Sequence, residues 1–246
     1  MSIFYHIGRY FILLFKVFSR PEKGKIYVRQ IFREVDALGL NSLGIVVIIS
    51  LFMGAVITLQ TAFNIESPFV PRYLIGLTAR DSMLLEFSST IVGLILAGKV
   101  GSNVSSEIGT MRVTEQIDAL EIMGINSASY LILPKIIGML LFTPVLFIIS
   151  NFVGIAGGWV AGVATGAVSS YDYLYGLNYA FIPYYISYAF VKSLVFSFII
   201  ISVSSYHGYH TSGGALEVGR SSTKAVVYSS ILVLTFNLII TQLMLT

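Results

Sequence analysis

Two ionisable residues, Glu86 and Lys192, each lie inside a long apolar stretch of the sequence. A carboxylate at the centre of a bilayer costs about 2.5 to 3.5 kcal/mol on insertion scales, so such a residue usually faces a cavity, a partner or water. Lys192 is a plausible counter-charge for Glu86, because both lie a few residues from the outer end of a predicted membrane span. The pair therefore predicts an outward-facing polar pocket. In the alternative interpretation, each side chain extends separately to the lipid headgroups.

Other groupings that could carry chemistry are weaker. His207 and His210 have the one-turn spacing of metal ligands, but no third ligand is near them in the sequence, so we expect surface-loop histidines and no metal site. Residues 93 to 99 read GLILAGK and resemble a phosphate-binding P-loop, but Val100 stands where that loop needs Ser or Thr to hold magnesium. There is no cysteine and no evident nucleophile with its base. We therefore expect a protein that is not an enzyme and binds no cofactor itself.

The composition indicates whether these residues lie in water or in a lipid bilayer. Of the 246 residues, 56% are hydrophobic and 11% are charged, and the mean hydropathy is +0.84, whereas about 25% of the residues of a soluble domain are charged. This apolar surplus excludes a soluble globule and a disordered chain. The basic residues do not form one patch, so the net charge of +3 does not indicate a nucleic-acid partner.

Five stretches are long and apolar enough to cross a bilayer, which takes about 20 helical residues. Three of them lack charge, namely 37 to 65, 136 to 171 and 225 to 246, and two contain the ionisable residues above, namely 82 to 104 and 184 to 206. The sequence therefore predicts an all-α integral membrane protein with about five transmembrane helices. We expect one permease domain over residues 37 to 246.

The region from 1 to 36 precedes these spans and is expected to lie at the membrane interface. His6, Arg9 and Lys16 interrupt the apolar stretch from 3 to 18, which favours an amphipathic helix on the bilayer surface. A cleaved signal peptide is disfavoured because Lys16 breaks the apolar region and no small-residue cleavage site follows. The many basic residues before residue 34 predict a cytoplasmic amino terminus.

Two further patterns concern packing and docking. Four glycines recur every four residues and would form a side-chain-free stripe on a helix, either within the subunit or between subunits: Gly154, Gly158, Gly162 and Gly166. Residues 107 to 124 predict an amphipathic helix whose acidic arc contains Glu115, Asp118 and Glu121. An acidic helix is poorly suited to resting on anionic headgroups, so we expect it to dock a cytoplasmic partner.

Several motifs resemble the MlaE/YrbE permeases, the membrane subunits of bacterial ABC-type lipid transporters. EIGTMRVTEQIDALEIMG at 107 to 124 is similar to the family signature, and AGKVGS at 97 to 102 and GGALEVGRSSTKAVV at 213 to 227 resemble two further family segments. Leu59 and Gln60 stand where the family has Leu-Gln at the end of the first span. Residues 85 to 89 read LEFSS, so Glu86 matches the family's glutamate but the arginine and proline usually near it are absent. Asn237 replaces an aspartate often found in the last span.

The resemblance implies a homodimer in the bacterial inner membrane, with two cytoplasmic ABC ATPase subunits that hold ATP and magnesium and a periplasmic ring of MCE-domain lipid-binding proteins. It implies transport of phospholipid between the inner membrane and the outer envelope. We expect a lipid pocket near Leu59, Gln60, Glu86 and Lys192. We expect contact with the ATPase through Glu107, Arg112, Glu115, Asp118 and Glu121.

Two alternatives remain at this point. A proton- or ion-coupled secondary transporter would use Glu86 and Lys192 as its relay. A membrane enzyme acting on lipid is less favoured, because the sequence offers neither a nucleophile nor a metal-binding set.

Overall fold

The structure is a computed structural model that describes residues 3–19, 24–65 and 69–245. Over these residues the chain is helical and contains no strand. The α-helices are α1 (Ile3–Phe18), α2 (Gly24–Glu34), α3 (Asn41–Asn64), α4 (Tyr73–Ser82), α5 (Val92–Leu96), α6 (Ser102–Val113), α7 (Gln116–Ile122), α8 (Ser127–Ala164), α9 (Ser170–Asn178), α10 (Tyr184–Tyr209) and α11 (Ala215–Leu245). Three π-helical segments interrupt them, at Val35–Leu40, Met83–Ile91 and Ala97–Gly101.

Five helical stretches have the length and apolar composition needed to cross a membrane, as the sequence predicts. Within the described residues they are Tyr27–Asn64, Tyr73–Val113, Ser127–Ala164, Tyr184–Tyr209 and Ala215–Leu245. The first, second, third and fifth begin about ten residues earlier than the apolar stretches do. The reason is that a helix continues through polar and charged residues once its backbone hydrogen bonds are established, whereas hydropathy marks only the apolar part.

The amino-terminal region forms α1 and α2, and residues 1–2 and 20–23 of the expected interfacial region lie outside the described residues. On α1, Leu13 and Val17 are buried, whereas Phe4, Phe11 and Phe15 are exposed. This two-sided pattern is that of an amphipathic helix. Its position on a membrane surface stays a prediction.

The chain divides into two compact units. The first contains Met1–Ser42, Leu94–Thr143 and Leu194–Thr246. In this unit α6 and α11 pack through small polar residues, and the Ser102 and Ser222 hydroxyls lie 2.8 Å apart. A Cβ added to Gly208 would lie 2.7 Å from the Ser105 carbonyl oxygen, so α6 also lies very close to α10.

The second unit contains Leu43–Gly93 and Pro144–Ser193. Its apolar core gathers Ile57, Ile75, Met83 and Tyr173 with neighbouring side chains. Helices α4 and α9 contact each other closely, and Ser169 begins α9 by accepting a hydrogen bond from the Asp172 amide.

The expected single helix over residues 107 to 124 is wrong, because the structure has two helices there. Helix α6 ends at Val113, and Glu115 adopts a left-handed backbone with φ +60° before α7 begins at Gln116. A left-handed residue cannot continue a right-handed helix, so the chain turns at this point. Gly124, with φ +78°, follows the end of α7 as the sequence suggests.

Candidate functional site

Glu86 and Lys192 form an ion pair in the second unit. The lysine Nζ lies 2.9 Å from Glu86 Oε1 and donates a further hydrogen bond of 3.0 Å to the Leu85 carbonyl. Glu86 lies on the π-helical segment Met83–Ile91, and Lys192 lies on α10. The expectation that the two side chains meet is therefore fulfilled in geometry.

The pair is unequally buried. Lys192 is fully buried, whereas 41% of the Glu86 side chain is exposed. The lysine ammonium also lies 4.3 Å from the centre of the Tyr188 ring, which stabilises a buried cation. Glu86 accepts further hydrogen bonds from Thr90 at 3.0 Å and from Tyr188 at 3.3 Å. The carboxylate is thus held in place by three donors, while part of the glutamate side chain stays exposed.

The π-helical segment determines where Glu86 points. The Ser88 hydroxyl donates to the Met83 carbonyl five residues earlier, at 2.8 Å, in keeping with the wider turn. Each π-helical turn takes in one more residue than an α-helical turn, which rotates the side chains that follow. The spacing of apolar residues along the sequence does not reveal such a shift.

Leu59 and Gln60 lie near the end of α3, and their membership of the predicted pocket is untested. Leu59 is partly buried and Gln60 is exposed. Within the described part of the chain, neither residue belongs to the hydrogen-bond group around Glu86. The structure brings together two of the four predicted pocket residues.

In the predicted docking segment the three acidic residues have different environments. Asp118 accepts a hydrogen bond of 2.5 Å from Arg112, which ties α7 to α6 across the break. Glu121 accepts hydrogen bonds of 2.9 Å from Tyr209 and from Ser127. Those donors, Tyr209 first, hold the pKa of Glu121 below its usual range. Glu115 is exposed at the turn.

Two apolar side chains at the end of α7 were missed by the sequence analysis. Ile122 is 87% exposed and Met123 is 65% exposed, directly before Gly124. The apolar dipeptide next to a glycine was a usable signal, because a short helix that ends there has little chain against which to bury it. We call this exposed apolar pair, Ile122 and Met123, the α7 tip.

Glu107 belongs to a second charge group, centred on a buried lysine, that also escaped the sequence analysis. Lys135 on α8 lies 2.8 Å from Glu107 and 2.9 Å from Glu34 on α2. The lysine side chain is 3% exposed, so its cation is compensated by two carboxylates. Its position as the last charge before a long apolar stretch was the available signal.

Three glycines of the predicted stripe pack against neighbouring residues of the second unit. A Cβ on Gly158 would lie 2.3 Å from the Thr58 hydroxyl, and one on Gly154 would lie 2.1 Å from the Met83 methyl group. A Cβ on Gly162 would lie 2.8 Å from a Val168 methyl group. These three glycines therefore pack within the subunit. The prediction is wrong for Gly166, which follows the end of α8 with φ +71°.

The fold and the intramembrane ion pair define a class: this is an all-α multi-pass membrane protein with a polar group inside a span of membrane length. The profile of a protein family described as Permease MlaE matches residues 31–243. The chain therefore belongs to the MlaE permease family, as its motifs suggest.

Relatives of known designation agree with this assignment. A probable ABC transporter permease protein of Rickettsia bellii is 36% identical over 242 residues, which cover 96% of this chain and 91% of that protein. The intermembrane phospholipid transport system permease protein MlaE of Haemophilus influenzae is 27% identical, with coverage of 99% and 94%. A chloroplastic protein of Arabidopsis thaliana, TRIGALACTOSYLDIACYLGLYCEROL 1, is 34% identical, with coverage of 89% and 62%.

Proposed function

We propose that this chain is the membrane subunit of an ATP-driven transporter that moves phospholipid between the bacterial inner membrane and the outer envelope. ATP and magnesium would be bound by a partner subunit. Family membership supports a permease, and the designation of the Haemophilus relative supports phospholipid as the substrate class. Two copies of the chain would form the pathway, and a periplasmic MCE-domain protein would exchange lipid with it.

The Glu86–Lys192 pair is the observation that carries the proposed lipid site. An apolar acyl chain needs no charge, but a phospholipid headgroup in a span needs polar partners, since unsatisfied polar groups are costly there. The buried lysine fixes the position of Glu86, and the exposed part of the glutamate side chain is where a headgroup would approach the pair. Leu59 and Gln60 are proposed to complete the pocket.

The α7 tip is proposed as the contact with the cytoplasmic ATPase. Ile122 and Met123 offer a small apolar centre, and the exposed Glu115 at the other end of α7 adds a polar group, which is a usual composition for an interface. Arg112, through Asp118, would transmit movement of α7 to α6 and so to the second span. Glu107 would connect the same helix to Lys135.

A charge-reversal experiment tests this coupling. Glu115→Lys with Asp118→Lys, in the complex reconstituted into liposomes, should leave the dimer intact and separate ATP hydrolysis from lipid transfer. Glu217→Lys is a matched control, because it also breaks an exposed pair, the one with Arg220 at 2.6 Å. Normal lipid transfer per ATP in the double variant would contradict the docking role.

A secondary transporter that uses Glu86 and Lys192 makes a different prediction. Purification of the tagged chain should co-isolate an ATPase with a P-loop if the proposal is right. Transport driven by a proton or ion gradient, by this chain alone, would instead support the alternative.

A further inference from the structure

A basic cavity in the first unit is not used by the proposed transport mechanism. It has a volume of about 390 Å³ and lies where α1 meets the ends of α6 and α10. Three cationic side chains and three hydroxyl-bearing residues line it: Arg9, Lys16, Arg112, Tyr209, Thr211 and Ser212. We call it the α1 cavity.

The charges in the α1 cavity are only partly compensated. Arg112 is paired with Asp118, and the one carboxylate among the described lining residues, Glu121, is held by Tyr209 and Ser127. Among the described residues, neither Arg9 nor Lys16 has an ion-pair partner within salt-bridge distance. The Arg9 guanidinium lies against the Tyr5 ring, 5.5 Å from its centre. The cavity therefore has a surplus of positive charge and is suited to an anion.

An apolar compartment adjoins this basic one. It has a volume of about 240 Å³, is lined by Ile12 and Leu13, and shares Arg9 and Lys16 with the α1 cavity. A free phosphate ion has no apolar part to place in such a compartment. A phospholipid would occupy both compartments, because its headgroup needs cations and its acyl chains need an apolar surface.

We propose that the α1 cavity binds the phosphoryl headgroup of an anionic phospholipid, whose acyl chains lie against Ile12 and Leu13. Arg9 and Lys16 would hold the phosphoryl group, and the Ser212 hydroxyl would donate to one of its remaining oxygens. This lipid would be a resident one that fixes α1, so the site goes beyond the proposed transport pocket. The same phosphoryl chemistry occurs in free phosphate, and the experiment separates the two sources.

Native mass spectrometry of the complex purified in detergent tests the proposal, with added phosphatidylglycerol or phosphatidylcholine. Arg9→Gln with Lys16→Gln should reduce retention of phosphatidylglycerol about thirtyfold, because each basic residue near an anionic lipid strengthens its binding about fivefold. Retention of phosphatidylcholine should change little. Arg29→Gln with Arg33→Gln is the control, because it removes the same charge from exposed positions on α2 outside the cavity.

Three results would overturn the proposal. Equal loss of phosphatidylglycerol in both double variants would show that the lipid is held by the overall positive charge of the surface and not by the cavity. Displacement of the lipid by millimolar inorganic phosphate would show a phosphate site. Loss of the co-purified ATPase with lipid retention unchanged would make the cavity part of a protein interface. If the double variant does not yield folded protein, Lys16→Gln alone, at an exposed position, should give about a fivefold reduction and decides the question.

Discussion

Lys192 donates a hydrogen bond of 2.9 Å to Glu86, yet the lysine is fully buried while 41% of the glutamate side chain is exposed. The two partners of this ion pair therefore depend on each other to different degrees. Without Glu86 the lysine cation would have the Leu85 carbonyl and the Tyr188 ring as its remaining partners. Without Lys192 the glutamate would still have an accessible side and two hydroxyl donors.

Removing Glu86 should destabilise the protein more than removing Lys192. We expect Glu86→Gln to cost about 3 kcal/mol, because it leaves a buried cation without a counter-charge. Lys192→Met should cost about 1 kcal/mol less than that, because the glutamate is partly exposed. The double variant should recover most of the loss. Thermal unfolding in detergent measures the stability of all three variants. Equal losses of stability in the two single variants would contradict the prediction that Glu86 matters more.

The close approach of α3 and α8 makes Gly54 intolerant of a side chain. A Cβ at Gly54 would lie 1.7 Å from the Gly154 carbonyl oxygen, which is backbone and cannot move aside alone. We expect Gly54→Ala to cost about 2 kcal/mol. Gly44→Ala on the same helix is the control, because a Cβ there has no neighbour within 4 Å. Alanine is the better helix former, so this control should be neutral or slightly stabilising in the same unfolding assay.

The group around Lys135 should respond more to loss of the lysine than to loss of one carboxylate. Lys135→Met leaves Glu34 and Glu107 facing each other without a cation and should cost about 3 kcal/mol. Glu107→Gln leaves the lysine paired with Glu34 and should cost less than about 1 kcal/mol, since Glu107 is largely exposed. Thermal unfolding distinguishes the two. A larger loss for Glu107→Gln would show that Glu34 does not hold the lysine.

Glu121 should give the protein a stability that depends on pH. Its pKa lies below the usual range because Tyr209 and then Ser127 donate to the carboxylate. A carboxyl group with a lowered folded pKa contributes stability above its unfolded pKa, about 4.3, and loses that contribution as the pH falls through the folded value. Tyr209→Phe should therefore lower stability by about 1 kcal/mol near pH 7, and the difference from the original protein should shrink below pH 4.

Tyr27→Phe is the control for this pH dependence. The Tyr27 hydroxyl bonds to the Ser129 hydroxyl at 2.8 Å, so this bond joins two hydroxyl groups and not a hydroxyl and a carboxylate. The loss in this variant should be independent of pH between 3.5 and 7. Unfolding curves over that range measure both variants, and parallel pH profiles would show that Glu121 is not the responsible group.

Much of the fold could be predicted because hydropathy follows directly from residue type. The five spans, the amphipathic α1 and the glycine that ends α7 all arise from local sequence. The break at Glu115 could not be predicted in this way. Glutamate has no intrinsic preference for a left-handed backbone, so this conformation depends on the contacts of the flanking helices.

The candidate site was predictable only in part. Glu86 and Lys192 were identified because charge is expensive in an apolar span, and opposite charges in similar positions suggest a pair. Lys135 lies at the edge of an apolar stretch, where a lysine is ordinary, so its burial between two carboxylates was not expected. Ile122 and Met123 were not singled out from the sequence, and the end of α7 leaves them exposed.

The sequence by itself determined that the chain is a membrane protein, how many spans it has and to which family it belongs, because each follows from residue type and order along the chain. The tertiary structure decided which charges meet, where the docking segment breaks and which glycines are in contact. The physical reason is that ion pairs and close helix contacts join residues about 100 positions apart, as Glu86 and Lys192 do. Their distance depends on π-helical turns and helix packing, to which no local pattern corresponds.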